Sequence, residues 1–341
     1  MKSGRSKLDK WDDLRMQVFS NPTQNEIKMA AKALKEGNLV AFPTETVYGL
    51  GADAENEMAV NRIYSVKGRP TGHPLIVHIS SINQIDKWAI DIPEYALKLA
   101  EEFWPGPMTL ILKRSDLAQD FITGGQENVG VRVPAQPVAL ALLNELNKLG
   151  GNGISAPSAN RFGAVSPTSA SAVKEEIEKF LNKEDLILDD GPCLVGLEST
   201  IIDCTGSDPV ILRPGYLTRS TVEIKTGIKM SKKKLDSTVK TSGLLKYHYS
   251  PNAEVVLDET TEPGDGFLAM SDVPTPQGAI RLASPKTIDE YAKNLYSILR
   301  LADSKKLLKI SVRMPEGDGL AEAIRDRLIK ASAKRSKIYD V

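Results

Sequence analysis

Cysteine, histidine and net charge are what this chain has least of. Its two cysteines, Cys193 and Cys204, lie far from any C-x-x-C spacing. That argues against a zinc module and against a disulfide framework, and the expected compartment is a reducing cytoplasm. Three histidines, His73, His78 and His248, are too few for a histidine-rich metal site, and no metal ligand set is expected. Lys plus Arg and Asp plus Glu number 44 each, a formal net charge of zero. A global basic field for nucleic acid is therefore absent, although a local basic cleft is compatible with it. No apolar run approaches the ~20 residues that span a bilayer. The charged start, Met1-Lys2-Ser3-Gly4-Arg5, is not followed by the apolar stretch of a secretory signal, so neither secretion nor a membrane partner is expected. The phosphate loop G-x-x-x-x-G-K-[ST], the nucleophile elbow G-x-S-x-G and the zinc helix H-E-x-x-H are also missing.

What is present is ordinary globular material, 41% hydrophobic and 26% charged over 341 residues, enough for two domains. Residues 1–22 read as a charged extension whose Trp11, Leu14 and Phe19 could dock. Thr23 and Glu26 form a capping box for a helix with Ile27, Ala30, Ala31 and Leu34 on one face, ended by Gly37. Apolar runs at 39–42, 75–79, 108–112, 129–133 and 200–203 predict strands. Helical spacing at 58–66, 94–103, 138–149 and 169–181 alternates with them. This is an α/β or α+β pattern with a sizeable sheet over residues 23–222. Residues 223–251, with the run Lys232-Lys233-Lys234, read as a linker, its charges solvated. Strands at 253–257 and 309–312 and helices at 288–301 and 320–330 then make 252–341 a small second α/β domain.

The chemistry-bearing residues cluster where apolar runs end. Pro43-Thr44-Glu45-Thr46-Val47-Tyr48-Gly49-Leu50-Gly51 places hydroxyls, a carboxylate and glycines directly after a strand, a common place for a ligand; a capped tight turn would use the same residues. Lys67-Gly68-Arg69-Pro70 can present two cations to phosphate oxygens, though such triplets also occur on solvated surfaces. His78 sits in the apolar run His73-Pro74-Leu75-Ile76-Val77-His78, where a satisfied core histidine is the plain alternative. Arg132, inside Val131-Arg132-Val133-Pro134, needs an anion, either a structural carboxylate or a substrate's. Ser158 and Asn160 in Ser155-Ala156-Pro157-Ser158-Ala159-Asn160 could hydrogen-bond sugar or phosphate, or simply form a polar turn. Gly196-Leu197-Glu198-Ser199-Thr200-Ile201-Ile202-Asp203 and Ile211-Leu212-Arg213-Pro214-Gly215 repeat the pattern.

With these seven motifs in this order, the chain resembles the YrdC-like family in its long form, the threonylcarbamoyl-AMP synthases. The resemblance covers residues 22–216 and continues through Tyr247-His248-Tyr249-Ser250-Pro251 to Ala323-Ile324-Arg325-Asp326-Arg327-Leu328. It implies a twisted mixed sheet with flanking helices and a concave cleft, followed by a smaller Rossmann-like α/β domain. It further implies condensation of L-threonine, bicarbonate or CO2, and ATP into threonylcarbamoyl-AMP and pyrophosphate. A separate transferase complex would then modify the adenosine beside the anticodon of tRNAs reading A-starting codons. By motif, Thr46, His78, Arg132, Ala156 and Ser199 would surround threonine, with Arg132 on its carboxylate. Lys67, Arg69, His73, Asn128, Ser158, Asn160, Ser166, Arg213 and Tyr249 would hold the nucleotide, with Lys67 and Arg69 catalytic. Mg2+ would arrive on ATP. The family commonly has Asn where His73 stands and Thr or Ser where Asn128 stands, and its linker usually opens Ser-Pro-Gly where this one has Thr241-Ser242-Gly243. Residues 245–251 are expected to fold over the cleft as a lid anchored by the C-terminal domain. An RNA-binding module without synthase activity is the alternative, and weak RNA contact is compatible with the synthase reading as well. Carbamoyl transfer in hydrogenase maturation is disfavoured, because the acylphosphatase and Cys-rich segments of those chains are not seen.

Overall fold

The computed structural model describes residues 16–231, 240, 241, 243 and 248–333. Trp11, Leu14, the 232–234 lysine run and linker residues 245–247 lie outside that set. The chain opens on β1 (Gln17–Ser20) and α1 (Gln24–Lys35). The Thr23 hydroxyl accepts the Glu26 N–H, and the Glu26 carboxylate accepts the Thr23 N–H at 2.7 Å. β2 (Val40–Phe42) and β3 (Gly49–Asp53) then pair antiparallel around the 43–48 segment. There follow α2 (Glu57–Lys67), β4 (Ile76–His78), α3 (Glu94–Phe103), β5 (Met108–Lys113), β6 (Asn128–Arg132), α4 (Pro137–Lys148) and β7 (Ile154–Ser155). α5 (Ala170–Ile177), β8 (Leu186–Asp189), β9 (Thr200–Asp203), β10 (Val210–Arg213) and α6 (Arg219–Thr226) complete the first domain.

Its ten strands make one mixed sheet in the order β1-β8-β2-β3-β7-β4-β6-β5-β9-β10. The inner strands β2, β3 and β5 are buried along nearly their whole length, as expected of strands covered on both faces. Three apolar clusters pack on this sheet. One joins α1 to α4 through Ile27, Leu34, Leu142 and Leu146; the others gather around Trp88 and around Tyr48 and Tyr64.

β11 (Glu254–Leu257), β12 (Gly266–Leu268), β13 (Ile280–Ala283) and β14 (Lys309–Val312) form a second, all-parallel sheet in the order β11-β14-β12-β13. α7 (Ile288–Ser304) and α8 (Leu320–Ser332) supply Tyr291, Leu295, Tyr296, Ile324 and Leu328 to its core. That core also takes in Val47, Val165 and Leu197 from loops of the first domain. The two domains are therefore joined by a continuous apolar contact.

Residues 17–20, read as part of an extension, instead form the edge strand beside β8, and Phe19 packs against the α1–α4 cluster. α6 runs across the boundary expected at residue 222. β3, β7, β8, β10, β12 and β13 were not anticipated. β3, for example, reads GLGAD, without the β-branched or aromatic enrichment that marks a strand.

Candidate active site

The register of β4 and β6 creates the cleft. His78 pairs with Arg132, and side chains two apart share a sheet face, so Ile76 and His78 line one surface together. The 44–49 segment, Arg69, the 156–158 segment, Glu198, Ser199 and Arg213 rise around them, and Gly243, His248 and Tyr249 of the linker complete the wall. The free space left between these side chains is about 50 Å³, room for a few water molecules.

Nine predicted residues meet there: Thr46, Arg69, His78, Arg132, Ala156, Ser158, Ser199, Arg213 and Tyr249. Five lie elsewhere. Lys67 is buried behind the wall and its ammonium donates to the Ser158 and Asn160 carbonyls, each at 2.5 Å. Burial, with Arg69 nearby, lowers its pKa well below the usual lysine range. Asn160 Nδ2 donates to the Arg161 and Ala164 carbonyls. Ser166 Oγ donates to Glu198 at 2.6 Å. His73 is half-exposed, its ring edge-on to Phe162 at 5.5 Å. Asn128 lines an adjoining recess with Gln126, Lys240 and Thr241.

The buried arginine of β6 has a structural partner. Arg132 Nη2 lies 2.5 Å from Glu45 Oε1, Nη1 donates to Thr46 Oγ1 at 3.0 Å, and Nε donates to the Gly106 carbonyl at 3.2 Å. Glu45 Oε2 also accepts the Ala135 N–H. A substrate carboxylate is therefore not what makes this buried charge tolerable. Guanidinium carries five donors, so two can still address a second anion from the cleft side. Arg213 donates from Nε and Nη2 to the Ser199 carbonyl and from Nη2 to the Ser199 hydroxyl, which is 2.8 Å from Thr109 Oγ1. Arg69 packs over Phe162, and burial brings its guanidinium down to about 10, still charged at neutral pH.

Burial holds both cleft histidines neutral, His78 at about 3 with Arg132 adding to the effect, and His248 likewise at about 3. Among the described residues His78 Nδ1, His248 Nδ1, Asn160 Oδ1 and Tyr249 Oη lack hydrogen-bond partners, which buried polar atoms ordinarily have. The charged lining consists of three arginines and one glutamate, so the wall favours an anion. No group of three or more His, Cys, Asp or Glu side chains among the described residues could hold a metal ion. No helix among them is long and apolar enough to cross a membrane. Both cysteines are buried, unpaired thiols.

Glu45, Glu198, Tyr296 and Arg327 were not singled out as site residues, although each charged member stands in a quoted motif. Only Glu198 carried a signal, a charge beside the apolar run of β9; Glu45 lies between two threonines and Arg327 beside Asp326 on a polar stretch of helix.

A mixed-sheet α/β domain with an arginine-walled cleft, joined through a linker to a parallel α/β domain, defines the class. A family described as "Telomere recombination" (Sua5, YciO and YrdC proteins) matches residues 32–215, and one described as "Threonylcarbamoyl-AMP synthase, C-terminal domain" matches residues 217–333. The chain belongs to the threonylcarbamoyl-AMP synthase family, and is an enzyme of nucleotidyltransferase type. The threonylcarbamoyl-AMP synthase of Pyrococcus abyssi is 41% identical over 91% of this chain and 95% of its own. That of Bacillus subtilis is 36% identical over 98% and 99%. The crystal structure of P. abyssi Sua5 complexed with L-threonine superposes with a TM-score of 0.81 at 38% identity, covering 93% of this chain and 97% of that one. E. coli YciO, at 26% identity and a TM-score of 0.50, covers 59% of this chain and 96% of its own.

Proposed function

We propose that this enzyme condenses L-threonine, bicarbonate or CO2, and ATP into threonylcarbamoyl-AMP and pyrophosphate. The observation that carries the reading is a cleft wall of three buried arginines, neutral histidines and hydroxyls, in a chain that aligns over nearly its full length with a threonine-bound relative. Such a wall suits a reaction whose nucleophile comes from the substrate. The threonine amine attacks carbon dioxide and loses a proton, giving a carbamate. A carbamate oxygen then attacks the α-phosphorus of ATP, and pyrophosphate departs with the bonding pair.

We assign threonine to Thr46, His78, Arg132, Ala156 and Ser199, its carboxylate meeting the cleft-side donors of Arg132. The nucleotide is assigned to Arg69, Ser158, Arg213 and Tyr249 on the wall, with His73 and Asn128 at its margins. Asn160, Ser166 and Lys67 stand behind the wall, and Lys67 acts by holding the Ser158 and Asn160 carbonyls in place. Arg69 then offsets charge at the phosphates, a preorganised electrostatic role. Mg2+ carried on ATP would supply further shielding of the triphosphate, with no protein ligand assigned to it. The lid reading of residues 245–251 draws support from His248 and Tyr249 on the wall. The His248 N–H donates to the Lys330 carbonyl of α8, and the Ser250 N–H donates to Gly163. The product would pass to a tRNA-modifying transferase complex in the cytoplasm.

The deciding assay is pyrophosphate release from MgATP with and without L-threonine and bicarbonate, the nucleotide product being weighed by mass spectrometry. Release is expected only with all three, together with a product of threonylcarbamoyl-AMP mass. Pyrophosphate release that ignores threonine, or no release at all, would overturn the reading and return RNA contact without synthesis to the front.

A further inference from the structure

An anion-binding cleft should not display a carboxylate, yet Glu198 lines it beside Ser199. The counter-charge comes from the other domain. Glu198 Oε2 accepts from Arg327 Nε at 3.0 Å and from Tyr296 OH at 2.7 Å, while Oε1 accepts from Ser166. Arg327 stands on α8 and Tyr296 on α7, and neither side chain is reached by water. A carboxylate and guanidinium buried this way depend on each other, because removing one strands the other. Burial alone would raise the Glu198 carboxyl, but Arg327 and Arg213, with the Ser166 and Tyr296 hydroxyls, bring it down to about 2.

Arg213, the second cation bearing on Glu198, is directed elsewhere, to the Ser199 carbonyl and hydroxyl. Arg213 and Glu198 both line the cleft, and Arg213 holds the residue next to Glu198 in sequence. Tyr296 and Arg327 also frame Tyr249: its ring stacks on Tyr296 at 5.5 Å and lies under the Arg327 guanidinium at 5.3 Å. Backbone geometry agrees with a built contact. Gly196, two residues before Glu198, has φ +77°, and a Cβ there would collide with the Lys293 carbonyl of α7, so the domains approach at glycine-only distance.

We propose, resting on the synthase reading above, that Glu198 is a positioning residue through which the C-terminal domain shapes the nucleotide half of the cleft. Arg327 and Tyr296 neutralise Glu198, which leaves Arg213 on Ser199, facing the nucleotide, and seats Tyr249 on the wall. Without Arg327, Arg213 is the arginine beside Glu198 in the cleft wall, and Glu198 draws it away from the nucleotide.

The test uses the full-length chain and four proteins: wild type, Arg327→Met, Tyr296→Phe, and Arg327→Met combined with Glu198→Gln. MgATP and threonine dissociation constants are measured by calorimetry, alongside kcat and KM. Arg327→Met should weaken MgATP about tenfold and Tyr296→Phe about threefold, within the coupling range of contacting residues. Threonine affinity should change less than about threefold in both. The double variant should regain most MgATP affinity, because the carboxylate that captures Arg213 is gone. A role confined to folding would lower the thermal midpoint of the singles and leave MgATP binding untouched. Wild-type MgATP affinity in folded Tyr296→Phe and Arg327→Met, or a double variant no better than Arg327→Met, overturns the proposal. Should Arg327→Met not fold, Tyr296→Phe and the double variant decide. Wild-type protein that binds MgATP but makes no threonylcarbamoyl-AMP sinks the synthase reading alone.

Discussion

Arg132 answers two demands at one position, and they can be separated. Its charge is balanced by Glu45 at 2.5 Å, and its two remaining donors are assigned to the threonine carboxylate. Removing one member of a buried pair costs ~3–5 kcal/mol. Arg132→Ala should therefore lower the thermal midpoint and weaken threonine binding by about a hundredfold or more, with little change for MgATP. Adding Glu45→Gln should restore much of the midpoint, since no carboxylate is then stranded, but none of the threonine affinity. Titration calorimetry and thermal unfolding on both variants check this. Unchanged threonine affinity in folded Arg132→Ala protein would remove the carboxylate assignment.

At the scale of elements, short connections hold the site. Lys67, the last residue of α2, ties that helix to the segment after β7 through the Ser158 and Asn160 carbonyls. Gly68 follows at φ +61°, ending the helix in the left-handed conformation and letting the chain turn back toward Arg69. Lys67→Met keeps the stem but leaves the buried Asn160 carbonyl and the partly buried Ser158 carbonyl without this donor, at up to ~1–3 kcal/mol for the buried one. The expectation is a lower thermal midpoint and a raised nucleotide KM, because Ser158 is displaced while Arg69 stays. A folded Lys67→Met enzyme with wild-type KM and kcat would show that the tether does not matter to the site.

The whole molecule should be acid-sensitive in a defined window. His78 and His248 are held near 3 in the folded protein against an ordinary 6.5, so the unfolded chain binds more protons between those values. Stability therefore falls as pH drops below about 6.5, by about 2 kcal/mol per histidine at pH 5 if no other group intervenes. Above pH 7 these two histidines contribute no slope. Chemical denaturation at pH 7.5, 6 and 5 should show the decline, and His78→Gln should roughly halve it. A flat profile over that range would contradict the burial of both rings.

By itself the sequence determined the family, the alternation of strands and helices, and most of the cleft wall. These are readable because burial leaves periodic apolar runs, and because ligand-facing groups collect where the runs end, as PTETVYGLG, VRVP and SAPSAN do. Short strands such as β3 and β7, two to five residues long, escape such a reading, since tertiary pairing rather than propensity makes them strands. Charge partnership was decided only by the tertiary structure. An arginine in an apolar strand announces that it needs an anion without saying which. Arg132 finds Glu45 87 residues away, Glu198 finds Arg327 129 residues away, and the ammonium expected at a phosphate holds two carbonyls instead. Coulomb energy falls with distance in space and rises in low dielectric. Both quantities come into being only when the sheet, the cleft and the second domain have closed around the charges.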